Sequence, residues 1–205
     1  MSTTTTSTTF TTTTERPEDA ASIEQLCDES FGGPQRRTKR SYAYRQGVAP
    51  VGYLCHVVRD QGERPIATIR YWPVLVGGAP ALLLGPLAVH PAHQGAGHGR
   101  WLVRHTLDLA AWANHDLVVL VGDPGYYRRL GFAPAWPHGI AMPFEDPGRL
   151  LVNWLKPERR PAIAGLVTRL AAGGGDRAAD AEGDRWRGSS RPGRAPRRAA
   201  RLAHL

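Results

Sequence analysis

Two cysteines in 205 residues, Cys27 and Cys55, are too few for a disulfide framework, and their spacing matches no metal-site pattern. That scarcity fits a reduced compartment, so a cytoplasmic protein is the expectation. No apolar run approaches the ~18 residues that a membrane-crossing helix needs. The N-terminus lacks a basic segment followed by an apolar stretch, so it does not read as a signal peptide. No internal repeat is present. Apolar residues make up 41%, a little under the globular average, so part of the chain is expected to stay outside any core. The length suggests one domain, large enough to fold without covalent staples.

Charge is also missing from most of the chain. Residues 1–155 hold 14 Lys+Arg against 13 Asp+Glu, a net of +1, whereas residues 156–205 hold 12 against 5, a net of +7. The formal +8 therefore belongs to the last quarter, and any argument from charge to partner applies there alone. From Gly173 to Leu205 there are six Gly, eight Arg and seven Ala but no Val, Ile or Phe, a composition that cannot bury a core and is expected to be disordered. Nucleic acid is a candidate partner of this tail only. With Trp186 its single aromatic, the tail offers almost no base stacking, and an unselected extension is the favoured reading.

What remains reads as an α/β chain. Residues 1–7 are low-complexity Thr and Ser, expected to be disordered, and Thr8 to Thr14 suit a first strand. Pro17-Glu18-Asp19 opens a helix through Ile23, Leu26, Cys27 and Phe31, with acids where they complement the helix dipole. Gly32-Gly33-Pro34 ends it. Val51–Val58, Ile66–Val76 and Ala79–Val89 read as an antiparallel meander. Gly99 to Ala113 is an amphipathic helix of about four turns. Leu117–Val121 is apolar throughout, as for a strand covered on both faces, and the order strand, helix, strand implies a parallel crossover. A short helix over Pro124–Leu130, strands over Ile140–Phe144 and Leu150–Leu155, and a short amphipathic helix within 158–172, carried by Ile163, Leu166, Val167, Leu170 and Ala171, complete the reading.

The stretch that carries chemistry runs from the strand ending in Leu87-Ala88-Val89 through His90-Pro91-Ala92-His93-Gln94-Gly95-Ala96-Gly97-His98-Gly99-Arg100 into the long helix. A Gly-rich loop entering a helix is an anion cradle. First-turn N–H groups have no intrahelical partner, and the dipole favours negative charge there. Glycines at 95, 97 and 99 allow close backbone approach, and Arg100 adds a charge-assisted donor. The Gly-Lys-Ser/Thr ending of a P-loop is absent, and the glycine spacing does not fit a dinucleotide fingerprint.

Gln94-x-x-Gly97-x-Gly99 between that strand and helix resembles the acyl-CoA pyrophosphate loop of the GNAT N-acetyltransferase superfamily. Downstream, Tyr127-Arg128-Arg129-Leu130-Gly131-Phe132 is similar to the family's Tyr-x-x-x-Gly-Phe segment. Val121-Gly122-Asp123-Pro124-Gly125-Tyr126-Tyr127 resembles one bacterial subgroup of predicted N-acetyltransferases. The resemblance implies a single domain over residues 8–157, with a central mixed, mostly antiparallel sheet flanked by helices. It implies acetyl-CoA as co-substrate and a small-molecule or peptide amine as acceptor, and it is compatible with a homodimer. By residue, it implies that Gln94, Gly95, Ala96, Gly97, His98, Gly99 and Arg100 hold the pyrophosphate. Leu87, Ala88 and Val89 pair with the pantetheine arm, and Tyr127 protonates the departing thiolate, with Tyr126 as its competitor. A strand bulge suits Gly85-Pro86, since proline lacks the N–H of regular pairing.

Three departures from the family leave alternatives open. Its usual Asn ahead of the short helix is replaced by Gly122-Asp123-Pro124, the strand Leu82–Val89 carries no Glu or Asp, and His90 stands where the subgroup more often has Asp. His90 is a general base or a surface histidine, and Asp123 is a base or a helix cap. A non-catalytic acyl-CoA-binding regulatory module is the competing function. His90, His93 and His98 lack a carboxylate or Cys at ligand spacing, so no metal is expected. Trp72 and Trp136 are candidates for an acceptor pocket, and Cys27 and Cys55 read as buried small apolar groups.

Overall fold

In the computed structural model, which describes residues 10–33 and 40–170, β-branched Thr11–Thr14 forms β1, as strand propensity predicts. A 3-10 turn at Pro17–Asp19 leads into α1, Ala20–Phe31. The buried Asp19 carboxylate fixes the start of this helix. It accepts the Arg16 N–H at 2.7 Å and both terminal nitrogens of Arg59, at 2.9 and 2.5 Å. This bidentate Arg59 contact, more than any other, holds the Asp19 carboxyl below the usual carboxylate range.

The strands β2 (His56–Arg59), β3 (Pro65–Val76) and β4 (Ala79–Val89) extend the sheet from β1, each antiparallel to the last. Helix α2, His98–Trp112, carries the chain across to β5, Leu117–Val121, which lies parallel to β4. After α3 (Pro124–Tyr127) come β6 (Ala133–Pro134), β7 (Ile140–Ala141), β8 (Leu150–Trp154) and β9 (Gly165–Arg169). The main sheet runs β1-β2-β3-β4-β5-β8-β6 among the described residues. It is the mixed, mostly antiparallel sheet that the sequence predicts. The predicted strand over Val51–Val58 is in part a 3-10 turn, Gly52–Leu54, with the strand itself starting at His56.

Strand alternation splits the core between the two faces of the sheet. Leu82, Leu84, Val118, Leu120 and Leu151 pack with Leu102, Val103 and Ala110 of α2. Leu83, Leu117, Val119, Leu150 and Val152 turn to the other face and meet Ile140, Met142 and Val167. Ile23, Leu26 and Cys27 of α1 close over Val57 and Ala88. Both cysteines are buried, as expected, and no disulfide joins them.

The amphipathic helix expected within 158–172 is not there. Gly165–Arg169 is strand β9, antiparallel to β3 over Val74–Val76 and parallel to β7. The domain end expected at 157 therefore falls short of the last strand. The physical reason is an open edge. β2 covers only the first half of β3, so the second half presents unpaired N–H and C=O groups that a strand satisfies and a helix cannot. Of the residues read as a helical stripe, Val167 is buried while Leu166 is 53% exposed. The expectations for residues 1–7 and for the tail 173–205 lie outside the described residues.

Candidate active site

The site begins where β4 breaks step with β3. The register pairs Ile69 with Leu87 but Tyr71 with Leu84, so an extra residue sits at Gly85-Pro86, where the sequence predicts a bulge. The Trp72 indole donates to the Gly85 carbonyl at 3.0 Å and anchors the distortion. Below it, β4 pairs with β5 at Leu82 and Leu83; no pairing with β5 continues beyond Leu83. The two strands part, and Tyr127 stands at the junction of the cavities that result.

The larger cavity, of about 550 Å³, lies between Leu87–Val89, the Gln94–Arg100 loop and helix start, and Gly125–Tyr127. Gly97 caps α2 with φ +88°, a conformation that a side chain resists, and the first helical hydrogen bond runs from the Trp101 N–H to the Gly97 carbonyl. The N–H groups ahead of it at the helix start thus lack an intrahelical acceptor. Arg100 and Arg129 add two cations to the lining. His98 is 4% exposed, its Nε2 has no partner among the described residues, and burial together with His93 lowers its pKa, which keeps the ring neutral. The smaller cavity, of about 220 Å³, is lined from β4 (Leu83–Leu87), from Val121–Asp123 and from Tyr42, Arg45 and Arg149. Phe31, Leu87 and Tyr127 line both cavities. Burial, and secondarily Tyr126, raises the Tyr127 phenol above the usual tyrosine range, so it is protonated at neutral pH.

The sequence profile of the Acetyltransferase (GNAT) domain family matches residues 52–134. The chain is 31% identical over 128 residues to the "Uncharacterized N-acetyltransferase YhbS" of Escherichia coli (strain K12), an alignment covering 62% of this chain and 75% of that protein. The crystal structure of the E. coli GNAT family N-acetyltransferase YhbS in complex with CoA superposes with a TM-score of 0.70 at 26% identity, over 82% of this chain and 93% of that one. A GNAT family acetyltransferase from Brucella melitensis, in complex with acetyl-CoA, gives 0.62 at 30% identity over 80% and 97%.

The chain belongs to the GNAT acetyltransferase family. In this GNAT domain nearly all of the residues singled out in the sequence meet at one cleft: Leu87, Ala88, Val89, Gln94, Gly95, Gly97, His98, Gly99, Arg100 and Tyr127 line it, and Ala96 does not. Gln94 lines it with a second duty, since its side chain donates back to the Val89 carbonyl at 3.2 Å. The same carbonyl accepts the Ser30 hydroxyl at 3.0 Å, so it is already engaged on the strand edge. Tyr126 lines the cleft as well, and a side chain at Gly99 would meet its hydroxyl. His90 lines neither cavity. Its Nδ1 accepts the Ala92 N–H and its Nε2 lies 3.5 Å from Glu29, which favours the surface-histidine reading. Asp123 accepts the Gly125 N–H at 3.0 Å and so caps α3, while also lining the smaller cavity. Trp136 is 64% exposed, and neither it nor Trp72 lines either of these two cavities. No group of three His, Cys, Asp or Glu that could hold a metal occurs among the described residues, and no helix there is long and apolar enough to cross a membrane.

Sequence reasoning missed Ser30, Phe31 and Arg129 on the cleft and Arg45 and Arg149 on the smaller cavity. Ser30 and Phe31 reach the cleft from α1, and Ser30 bonds a residue 59 positions away. No local pattern signals such a contact. Arg129 was visible, because it lies inside the Tyr-x-x-x-Gly-Phe segment.

Proposed function

We propose that this chain transfers an acetyl group from acetyl-CoA directly to an amine in a ternary complex, with Tyr127 as the acid. One observation supports this reading best: Tyr127 stands at the junction of two cavities, one suited to an anionic cofactor and the other to an acceptor. The larger cavity fits acetyl-CoA chemically. Unpaired N–H groups at the start of α2, the orphaned and buried His98 Nε2, Arg100 and Arg129 offer donors to phosphate oxygens. The parted edge of β4 at Leu87 and Ala88 offers main-chain groups to an extended arm, whereas the Val89 carbonyl is taken up by Ser30 and Gln94.

Acetyl-CoA supplies an activated thioester carbonyl. The amine nitrogen forms its bond to that carbon as the carbon–sulfur bond breaks and the electron pair leaves on sulfur. Tyr127, protonated at neutral pH, gives its hydroxyl proton to the sulfur and regains a proton from solvent before the next turnover. The amine proton passes to water, and no side-chain base is required. The competing reading, an acyl-CoA-binding regulatory module without catalysis, draws on the absence of Glu and Asp from β4.

Acetyl-CoA should raise the Tm of the purified chain, and at 100 times Kd the gain is about 2.7 kcal/mol. Gly97→Val should remove that shift, because a branched side chain at φ +88° strains the cradle and fills it. Release of CoA in the presence of an amine panel separates the two readings. Stabilisation without release on any amine supports the regulatory module, and no stabilisation at millimolar acetyl-CoA refutes both.

A further inference from the structure

The smaller cavity has a charge pattern of its own. Two guanidinium groups, Arg45 and Arg149, line it together with one carboxylate, Asp123. One oxygen of that carboxylate, Oδ1, accepts the Gly125 N–H. Arg149 makes a single long hydrogen bond, from Nε to the Gly122 carbonyl at 3.4 Å, which tethers its stem near the end of β5. No carboxylate among the described residues pairs with it, so its terminal nitrogens keep their donors. Arg45 comes from the 3-10 stretch Arg40–Arg45, and its guanidinium lies 4.2 Å over the Tyr42 ring. The cavity meets the cofactor cleft at Tyr127 and is, at about 220 Å³, smaller than the ~300 Å³ at which drug-sized sites begin.

We propose that the acceptor is a small amine that also carries an oxyanion group, a carboxylate or a phosphate, held by Arg149 and Arg45 with the amine nitrogen at the Tyr127 end. The proposal rests on the transferase reading above and names its substrate class. A guanidinium fork matches the two oxygens of a carboxylate or phosphate, and a second guanidinium lining the same cavity strengthens the preference. The same pair opposes polycationic amines by like charge, which provides discrimination as well as affinity. Neither arginine takes part in the proton transfer, so their effect belongs to acceptor binding.

The test uses the full chain, acetyl-CoA and a thiol reagent for released CoA. The acceptors come in matched sets: free amino acids, the corresponding carboxamides, aminoalkyl phosphates and linear diamines. An oxyanion-bearing amine should exceed its neutral counterpart roughly tenfold or more in kcat/KM, the range of one charge-assisted contact. Comparison of the carboxylate and phosphate arms identifies the oxyanion. Arg149→Gln should raise the acceptor KM and collapse the difference between acid and amide. It should leave the acetyl-CoA-induced rise in Tm in place, because Arg149 does not line the cofactor cleft. Amides or diamines used as well as the acids would overturn the proposal, and so would an acid preference surviving in both Arg149→Gln and Arg45→Gln. Failure of every amine to release CoA would instead remove the transferase reading, and this proposal with it.

Discussion

At the scale of single residues, the proposed chemistry turns on Tyr127. Its burial shifts the phenol upward, so the hydroxyl holds its proton at neutral pH and cannot act as a base there. Tyr127→Phe keeps the ring and its edge contact with Phe132 but removes the proton. We expect kcat to fall by about 10²–10⁴-fold, the usual worth of a positioned acid, with the KM for acetyl-CoA little changed. Wild-type kcat should show no alkaline limb from this group below about pH 10. Undiminished turnover in the variant would pass the role to Tyr126, whose hydroxyl sits over Gly99. Tyr127 was legible in the sequence because its spacing to Gly131 and Phe132 is local. Arg45 and Arg149 were not, because they meet only after about a hundred residues of intervening chain have folded.

At the scale of elements, β9 shows where periodicity misleads. Ile163, Leu166, Val167 and Leu170 fall at helical spacing, yet the open half of β3 pairs with Val167–Arg169 as part of a strand. The docking depends on two glycines in contact. A Cβ on Gly77 would lie 1.8 Å from the Ala164 carbonyl oxygen, and one on Gly165 would lie 2.8 Å from the Gly77 Cα. Gly165→Val should therefore destabilise the domain by roughly 2–4 kcal/mol in denaturant titration, from backbone strain and a displaced strand. A chain ended after Pro157, the domain end that the family resemblance implies, should show a comparable loss, because Val167 leaves the second core cluster. Stability within about 0.5 kcal/mol of the full chain in both cases would mean that β9 contributes nothing. The bulge and the crossover read correctly from sequence, since Gly85-Pro86 and the apolar run Leu117–Val121 each encode their geometry within a few residues.

At the scale of the whole molecule, stability should follow pH through a buried histidine. His56 is 7% exposed with Nδ1 unpartnered among the described residues, and burial, then His105, brings its pKa down to about 4. The unfolded chain binds this proton near pH 6.5 and the folded one only near 4, so stability is full above about 6.5 and falls as pH drops through that window. The loss approaches the order of 3 kcal/mol by pH 4 and then levels off. His56→Phe should flatten the slope of Tm between pH 6.5 and 4; an unaltered slope would place the sensitivity elsewhere, with His115, also drawn down to about 4, the next candidate. By itself the sequence determined the crossover within an otherwise antiparallel sheet and the glycine-rich turn into α2, because each is a property of contiguous residues, and the family resemblance added the bulge. The sequence also showed that the excess charge lies outside residues 1–155. Only the tertiary structure decided which groups line the smaller cavity, that the Val89 carbonyl is already engaged, and that the last segment is a strand. Those depend on which edges and faces long-range packing leaves open, and local spacing holds no record of that.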